Sequence, residues 1–177
     1  MKRDIEKVQV RLRDYRAEDF EALWRLDQVC FEDGISYSQR ELAHYIELKT
    51  AFTLIAEADM QEAAARETPI CGFIIAHRRR GGYGHILTID VDPYFQRRGV
   101  GTKLLQSTHE RLAREGCQTI FLETAVNNHA AIAFYKRHGY AVIRTIPRYY
   151  QATGMDAFLL SARLDRKTEA PNPSPRT

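Results

Sequence analysis

Two groups of residues in this sequence have types and spacings that could carry chemistry. The first is the run Gln96-Arg97-Arg98-Gly99-Val100-Gly101, which lies between a β-rich segment, residues 86–91, and a helical segment, residues 102–114. Glycine lets the backbone approach an anion closely, and the first N–H groups of a helix point beyond its N-terminus without an intrahelical partner. The run therefore predicts a phosphate-binding turn, and Arg97 and Arg98 would add positive charge beside the amides.

The spacing limits which phosphate ligand the turn could take. A dinucleotide fingerprint needs a third glycine where Leu104 stands, and the lysine-containing loop of nucleoside triphosphatases is absent. An ordinary strand-to-helix turn with solvated arginines is the alternative interpretation of these residues.

The second group is Glu123, Asn128 and Tyr135. Glu123 lies near the end of a predicted strand, residues 119–126, and Asn127 or Asn128 caps the helix that follows and runs to His138. Asn128, Ile132 and Tyr135 share one helix face. A carboxylate can accept a proton from an amine, and a phenol can return one to a thiolate, so the pair suits acyl transfer from a thioester. Alternatively, Glu123 is a solvated strand-end carboxylate and Tyr135 a core tyrosine.

Both groups resemble one family. The pattern V-D-P followed by Q-x-x-G-x-G is similar to the acetyl-CoA pyrophosphate loop of the GNAT N-acetyltransferases. Residues 121–140 resemble the subfamily that acetylates protein N-termini, most of all the bacterial ribosomal-protein alanine N-acetyltransferases. The resemblance covers most of residues 70–164 and implies a GNAT fold, acetyl-CoA as cosubstrate and no metal.

The resemblance also implies roles for individual residues. Glu123 would be the base, Tyr135 the acid, and a backbone N–H of residues 89–91, with Val91 as first choice, the oxyanion donor. The strand that carries Val91 would have to splay from its neighbour to admit the pantetheine arm. The residues expected to bind the cofactor are Ile89, Val91, Gln96, Arg97, Arg98, Gly99, Val100, Gly101, Thr102, Asn128 and Tyr135.

The acceptor is expected to be an amine. With pKa values of about 7.8 and about 10.4, roughly 14% of α-amines but only about 0.04% of lysines are neutral at pH 7, which favours a protein N-terminus, such as that of a ribosomal protein. Tyr37, Thr124, Tyr149 and Tyr150 are the candidate acceptor contacts. His85 is a weaker candidate, for which a packed strand histidine is the favoured interpretation. The chain departs from the subfamily at Thr124-Ala125, where Val-Arg is usual, and in the loop at residues 31–38.

Two other functions stay open on the sequence. One is acetylation of a small-molecule amine, which a lone acidic wall in the acceptor cleft would favour. The other is a non-catalytic acyl-CoA-binding module that regulates a partner, and the presence of both Glu123 and Tyr135 argues against it.

Composition indicates one soluble domain. The chain has 177 residues, 44% hydrophobic and 28% charged, with a formal net charge of +3. We expect residues 1–164 to form the domain and residues 165–177 a disordered tail. Three scattered cysteines predict neither a disulfide framework nor a metal site. No apolar run could span a bilayer, and no secretory signal is apparent, so we expect a cytoplasmic monomer or weak homodimer without membrane or direct nucleic-acid binding.

The order of predicted elements indicates an α/β (α+β) fold. A first strand and two helices precede three antiparallel strands, and then a helix, a strand, a helix and a final strand pair follow. Residues 77–82 are expected to form a basic turn. Together these elements predict a mixed, mostly antiparallel central sheet flanked by helices.

Overall fold

A sheet of seven strands positions the candidate residues in the structure, a computed structural model that describes residues 7–31, 35–63 and 68–164. The strands are β1 (Val10–Asp14), β2 (Ala51–Ala58), β3 (Ile70–Arg79), β4 (Tyr83–Val91), β5 (Thr119–Ala125), β6 (Ala141–Tyr150) and β7 (Met155–Arg163). They lie in the order β1-β2-β3-β4-β5-β7-β6. Neighbours are antiparallel except β4 and β5, which are parallel, so the predicted mixed sheet is confirmed.

Helices cover both faces of this sheet. They are α1 (Phe20–Cys30), α2 (Gln39–Glu47), α3 (Met60–Ala63), α4 (Val100–Arg114) and α5 (His129–Arg137), with 3-10 turns at Ala17–Asp19 and Pro93–Phe95. Phe73 and Ile75 of β3 pack into the core beneath α1 and α2, whereas Ile74 packs into the core beneath α4. Because successive side chains of a strand alternate between faces, β3 is apolar on both.

Short-range sequence signals set several element ends. Ser38 Oγ accepts the Glu41 N–H at 3.3 Å and Glu41 Oε2 accepts the Ser38 N–H at 2.9 Å, which confirms the predicted capping box. Gly116 adopts φ +88° just after α4, as expected of a glycine that ends a helix. The helix itself begins at Val100, two residues earlier than predicted.

The hairpin between β3 and β4 corrects one prediction. Residues 77–82 do not form a basic turn, because β3 continues to Arg79 and β4 begins at Tyr83. Gly81 and Gly82 have φ values of +89° and +77°, so the chain reverses within residues 80–82. His77 therefore lies in a strand, directly opposite His85.

The parallel strands β4 and β5 separate soon after they meet. They pair at Tyr83 with Thr119, Gly84 with Ile120 and His85 with Phe121, and no pairing follows along the rest of either strand. The predicted splay is thus confirmed. The separation of the strands opens a gap between them. One end of this gap lies at His85, and the other end lies beside the start of α4.

Some predictions fall outside the described residues. They include the tail at 165–177, the first six residues of the predicted domain and residues 32–34 of the first interhelical loop. In the described part, none of the helices has the length and hydropathy needed to cross a membrane. Cys71 and Cys117 are buried and Cys30 is half-buried, and none of the three forms a disulfide.

Candidate active site

The glycine loop places open backbone donors at the start of α4. Gly99 has φ +93°, a left-handed conformation that glycine adopts without strain, and its carbonyl accepts the Lys103 N–H at 3.0 Å. The preceding N–H groups of Val100, Gly101 and Thr102 stand ahead of the first complete helical turn. They can bind an anion at the positive end of the helix.

The two arginines of the loop differ in their surroundings. Arg98 donates to both carboxylate oxygens of Glu62 in α3, at 3.0 and 2.6 Å, so its charge is largely neutralised. Arg97 is exposed and has φ +61°. Arg97 therefore stays a candidate for adding charge beside the amides, whereas Arg98 is a weaker candidate because folding brings Glu62 beside it from a distant segment.

The backbone of β4 presents donors to the gap. The Asp92 N–H donates to the Cys71 carbonyl at 3.0 Å, so this N–H faces β3. Because N–H directions alternate along a strand, those of Val91 and Ile89 face away from β3, toward the gap. The Val91 carbonyl, which also faces that way, accepts from Gln96 Nε2 at 3.1 Å. Gln96 thus braces the loop through its side chain.

Glu123 lies where β4 and β5 begin to diverge, and it is held by a histidine. His85 Nε2 is 2.7 Å from Glu123 Oε2, and His77 Nε2 is 3.2 Å from His85 Nδ1. The side chains of Glu123 and His85 are 17% and 13% exposed, so the carboxylate is shielded but reachable. His85, an open alternative on the sequence, is here a direct partner of the candidate base.

Tyr135 lies on α5, whose N-terminus is capped by Asn128. The Asn128 Oδ1 atom accepts the Ala131 N–H at 3.0 Å, which settles the choice between Asn127 and Asn128. Tyr135 is 6% exposed. Burial, with Asp90 and Tyr150 adding to it, raises the pKa of Tyr135 well above that of a free phenol. The phenol is therefore protonated at neutral pH and is a weaker acid than its residue type alone suggests.

Tyrosines from three segments form one wall, in which Tyr149 lies near both Tyr37 and Tyr45. Glu123 lies near the two members of the wall from β6. The rings of Tyr37 and Tyr45 lie 5.0 Å apart, and those of Tyr149 and Tyr150 lie 5.1 Å apart. Burial raises the pKa values of Tyr149 and Tyr150, and the nearby Glu123 carboxylate adds to both shifts. Three of the four predicted acceptor contacts thus lie together.

The fourth predicted acceptor contact, Thr124, is on the wrong face. It is 6% exposed and follows Glu123 directly in β5, so the two side chains point to opposite faces of the sheet. Leu122, on the same face as Thr124, belongs to the core beneath α4. The contact of Thr124 with the acceptor therefore stays a prediction, and its burial on the face opposite Glu123 argues against it.

A buried acidic pair beneath the tyrosine wall was missed by sequence reasoning. Asp27 of α1 accepts the Tyr37 N–H at 2.7 Å, and Asp90 of β4 accepts from Thr88 Oγ1 at 2.7 Å. Both carboxyl groups are at most 1% exposed, and one oxygen of each has no partner among the described residues. Burial raises the pKa of Asp27 to about 6. Burial, and then Asp27, raise the pKa of Asp90 well above its usual value, so Asp90 holds its proton more tightly than an exposed carboxyl group does.

The His77–His85 contact was also missed, although the sequence held a signal for it. The two histidines are equidistant from Gly81, so a tight turn centred there would pair them across the hairpin. The described residues contain no group of three or more histidine, cysteine or acidic side chains able to hold a metal ion.

The gap between β4 and β5 has a helix N-terminus at one end and a shielded carboxylate at the other. This arrangement is the one expected of an acyl-CoA-dependent transferase. The profile of the acetyltransferase (GNAT) family matches residues 19–140. The chain belongs to this family and is an acetyl-CoA-dependent N-acetyltransferase.

Two proteins of similar sequence are named N-alpha-acetyltransferases. N-alpha-acetyltransferase RimI of Mycobacterium tuberculosis is 31% identical over 125 residues, covering 68% of this chain and 69% of that protein. An N-alpha-acetyltransferase of Sulfurisphaera tokodaii is 27% identical over 167 residues, covering 87% and 93%. An uncharacterised Mycobacterium leprae protein is 36% identical over 125 residues, but the match spans only 30% of its length.

A solved structure shares the fold. The ribosomal-protein-S18-alanine N-acetyltransferase of Escherichia coli superposes with a TM-score of 0.74 at 21% identity, covering 93% of this chain and 99% of that one.

Proposed function

We propose that this chain transfers the acetyl group of acetyl-CoA to the N-terminal α-amine of a protein, by direct attack of the amine on the thioester. One observation carries the proposal: the Glu123 carboxylate, shielded and held by His85, lies where β4 and β5 part. The names of the Sulfurisphaera tokodaii and Mycobacterium tuberculosis relatives support a protein N-terminus as the acceptor.

The cofactor would lie along the gap, with its pyrophosphate at the start of α4. The N–H groups of Val100, Gly101 and Thr102 would bind the phosphate oxygens, and Arg97 would add charge. Gly101 supports this placement, because a Cβ atom there would lie 3.5 Å from Phe134 of α5 and 3.6 Å from Val91. The start of α4 therefore lies close to Val91 of β4, on one side of the gap, and to α5. Asn128, at the start of α5, would face the pantetheine arm.

Glu123 and Tyr135 would move the two protons of the reaction. The amine nitrogen forms a bond to the thioester carbon, and its proton passes to Glu123. As the carbon–sulfur bond breaks, the thiolate takes a proton from Tyr135. The N–H groups of Val91 and Ile89, directed into the gap, would stabilise the oxyanion. The raised pKa of Tyr135 would make this last transfer less favourable unless the thiolate is equally shielded from water.

An α-amine suits this base better than a lysine. At neutral pH a lysine amine is in its neutral, reactive form about 300 times less often than an α-amine is. Glu123 would therefore meet far fewer reactive lysine amines than reactive α-amines. The tyrosine wall offers flat surfaces and hydroxyl groups on which an extended peptide backbone can lie. Ribosomal proteins are one class of protein that could supply the N-terminus.

Mass spectrometry of products tests the proposal. The purified chain would be incubated with acetyl-CoA and a panel of N-terminal peptides, internal-lysine peptides and small amines. We expect acetylation of α-amines, with Glu123→Gln as the inactive control. Modification of small amines alone would refute the assigned acceptor, and binding of acetyl-CoA without transfer to any member would favour a regulatory module.

A further inference from the structure

Three side chains form a line across three adjacent strands. His77 of β3 contacts His85 of β4 at 3.2 Å, and His85 contacts Glu123 of β5 at 2.7 Å. The two imidazole rings lie 5.4 Å apart at an angle of 47°. The line starts near the hairpin turn at residues 80–82 and ends at the candidate base.

The donors and acceptors allow one arrangement of protons when both histidines are neutral. An ionised carboxylate only accepts, so His85 Nε2 must carry a hydrogen and donate it to Glu123. His85 Nδ1 is then an acceptor, which requires His77 Nε2 to carry a hydrogen as well. Glu123 thus fixes His85 as the Nε2–H tautomer, and His77 supplies the donor to the Nδ1 atom of His85. Glu123 Oε1, which His85 does not engage, is the oxygen that can receive the amine proton.

The geometry points to His77 as a positioning residue of the reaction: it acts through His85 to hold Glu123 in the orientation and charge state of a base. This inference rests on the proposed role of Glu123. His77 itself lies one strand further from the gap and is separated from Glu123 by His85.

The surroundings of His77 keep it neutral. In the described part of the chain it faces His85 from β4 and Arg79 on its own strand, and its β2 neighbour is Ala51. Burial, then His85, then Arg79 lower its pKa below the usual 6.5. At pH 7 and above His77 is therefore a neutral donor.

Protonation of His77 would weaken the base. It would place a positive charge beside His85 and close to Glu123, and a carboxylate close to a cation accepts the amine proton less readily. The acid side of the activity profile should therefore depend on the protonation of His77. This gives His77 an effect that a purely packing role would not produce.

Two substitutions separate the hydrogen bond from the titration. In His77→Leu the donor is lost, and we expect kcat to fall about tenfold, the factor that one ordinary hydrogen bond accounts for, while the KM for acetyl-CoA is unchanged. In His77→Gln an amide can still donate but cannot titrate. We expect kcat within about twofold of wild type and an altered acid limb of kcat/KM against pH. Arg78→Gln, an exposed neighbour on the same strand, is the matched control.

Nitrogen-15 NMR of the histidine rings provides a second measurement that does not depend on turnover. In the wild-type chain at pH 8 we expect the His85 Nδ1 resonance to be that of an acceptor hydrogen-bonded to His77, and in His77→Leu we expect this resonance to shift because the donor is lost. An unchanged His85 Nδ1 resonance in His77→Leu would overturn the inference. So would equal losses of kcat in both variants with an unchanged pH profile, because that pattern indicates packing alone.

Failure of the proposed base is distinguishable from failure of this inference. Full activity in Glu123→Gln would remove the base assignment, whereas the NMR spectrum of His85 reports on His77 directly. A shifted His85 Nδ1 resonance in His77→Leu, together with an altered pH profile in His77→Leu and His77→Gln, would support the inference.

Discussion

Replacing Asp27 by asparagine should change how the stability of this protein depends on pH. Asp27 is fully buried and accepts the Tyr37 N–H at 2.7 Å, which connects α1 to the tyrosine wall. Asparagine has nearly the same shape and keeps an oxygen acceptor for that N–H. The substitution therefore removes a titrating group while retaining the contact.

The size of the pH-dependent stabilisation follows from the pKa of Asp27. Burial raises the pKa of Asp27 from 3.8 to about 6, although the hydrogen bonds from Tyr37 and Gln28 oppose the shift. The folded state thus binds the proton more tightly than the unfolded chain does. The resulting stabilisation is complete below pH 4 or so and is lost as the pH rises through about 6. At about 1.36 kcal/mol per pKa unit the whole effect is ~3 kcal/mol, of which ~2 kcal/mol falls between about pH 4 and about pH 7.

Urea unfolding across this pH range measures the effect. The free energy of unfolding of the wild type minus that of Asp27→Asn should fall by ~2 kcal/mol as the pH rises from about 4 to about 7. Taking the difference cancels the titrating groups that do not interact with Asp27. Asp19→Asn is a control of opposite sign, because hydrogen bonds from Arg13 hold the pKa of Asp19 below its usual value. A difference for Asp27 that does not vary with pH, or that rises with pH, would refute the reasoning.

Three further predictions concern the gap and the loop beside it. Glu123→Gln and Tyr135→Phe should each lower kcat at least a hundredfold, the usual contribution of a general acid or base, while calorimetry shows an affinity for acetyl-CoA near that of the wild type. Wild-type turnover in either variant would contradict the role of that residue. Gly99→Ala should weaken acetyl-CoA binding and cost about 1 kcal/mol of stability, because φ is +93° there, although no atom lies within 4 Å of the added Cβ. The control is Gly116→Ala, at φ +88° beyond the far end of α4, which should cost similar stability and leave binding unchanged. Gly72→Ala should lower stability by about 1–3 kcal/mol in thermal or urea unfolding, because a Cβ atom would lie 2.8 Å from the Asp90 carbonyl oxygen; an unchanged midpoint would mean that β4 shifts without cost.

Local patterns were sufficient to predict the parts of the site that depend on one stretch of chain. The turn before α4 was predictable because Gly99 and Gly101 permit a backbone that few other residues adopt, and a helix start always leaves donors open. The capping box at Ser38 and Glu41 was predictable for the same reason, since both partners lie within one turn. The opposite directions of Thr124 and Glu123 were also predictable, because successive side chains of a strand alternate between its faces.

Contacts between distant segments were not predictable in this way. Arg98 is neutralised by Glu62, and Asp27 lies near Asp90, only because separate helices pack against the sheet where they do. Strand order decides such pairings, and it depends on which apolar faces are buried together over the whole chain.

The sequence by itself therefore determined which reactive groups are available: a helix start able to bind an anion, a carboxylate and a phenol. Each is specified by residue type and by spacing within one element. Only the tertiary structure decided where these groups lie and what surrounds them. It separated β4 from β5, brought His77 and His85 into line with Glu123, and buried Tyr135 so that its pKa rises. The physical reason is that hydrogen-bond partners and burial belong to the packed arrangement of strands and helices, whereas backbone preference belongs to each residue and its near neighbours.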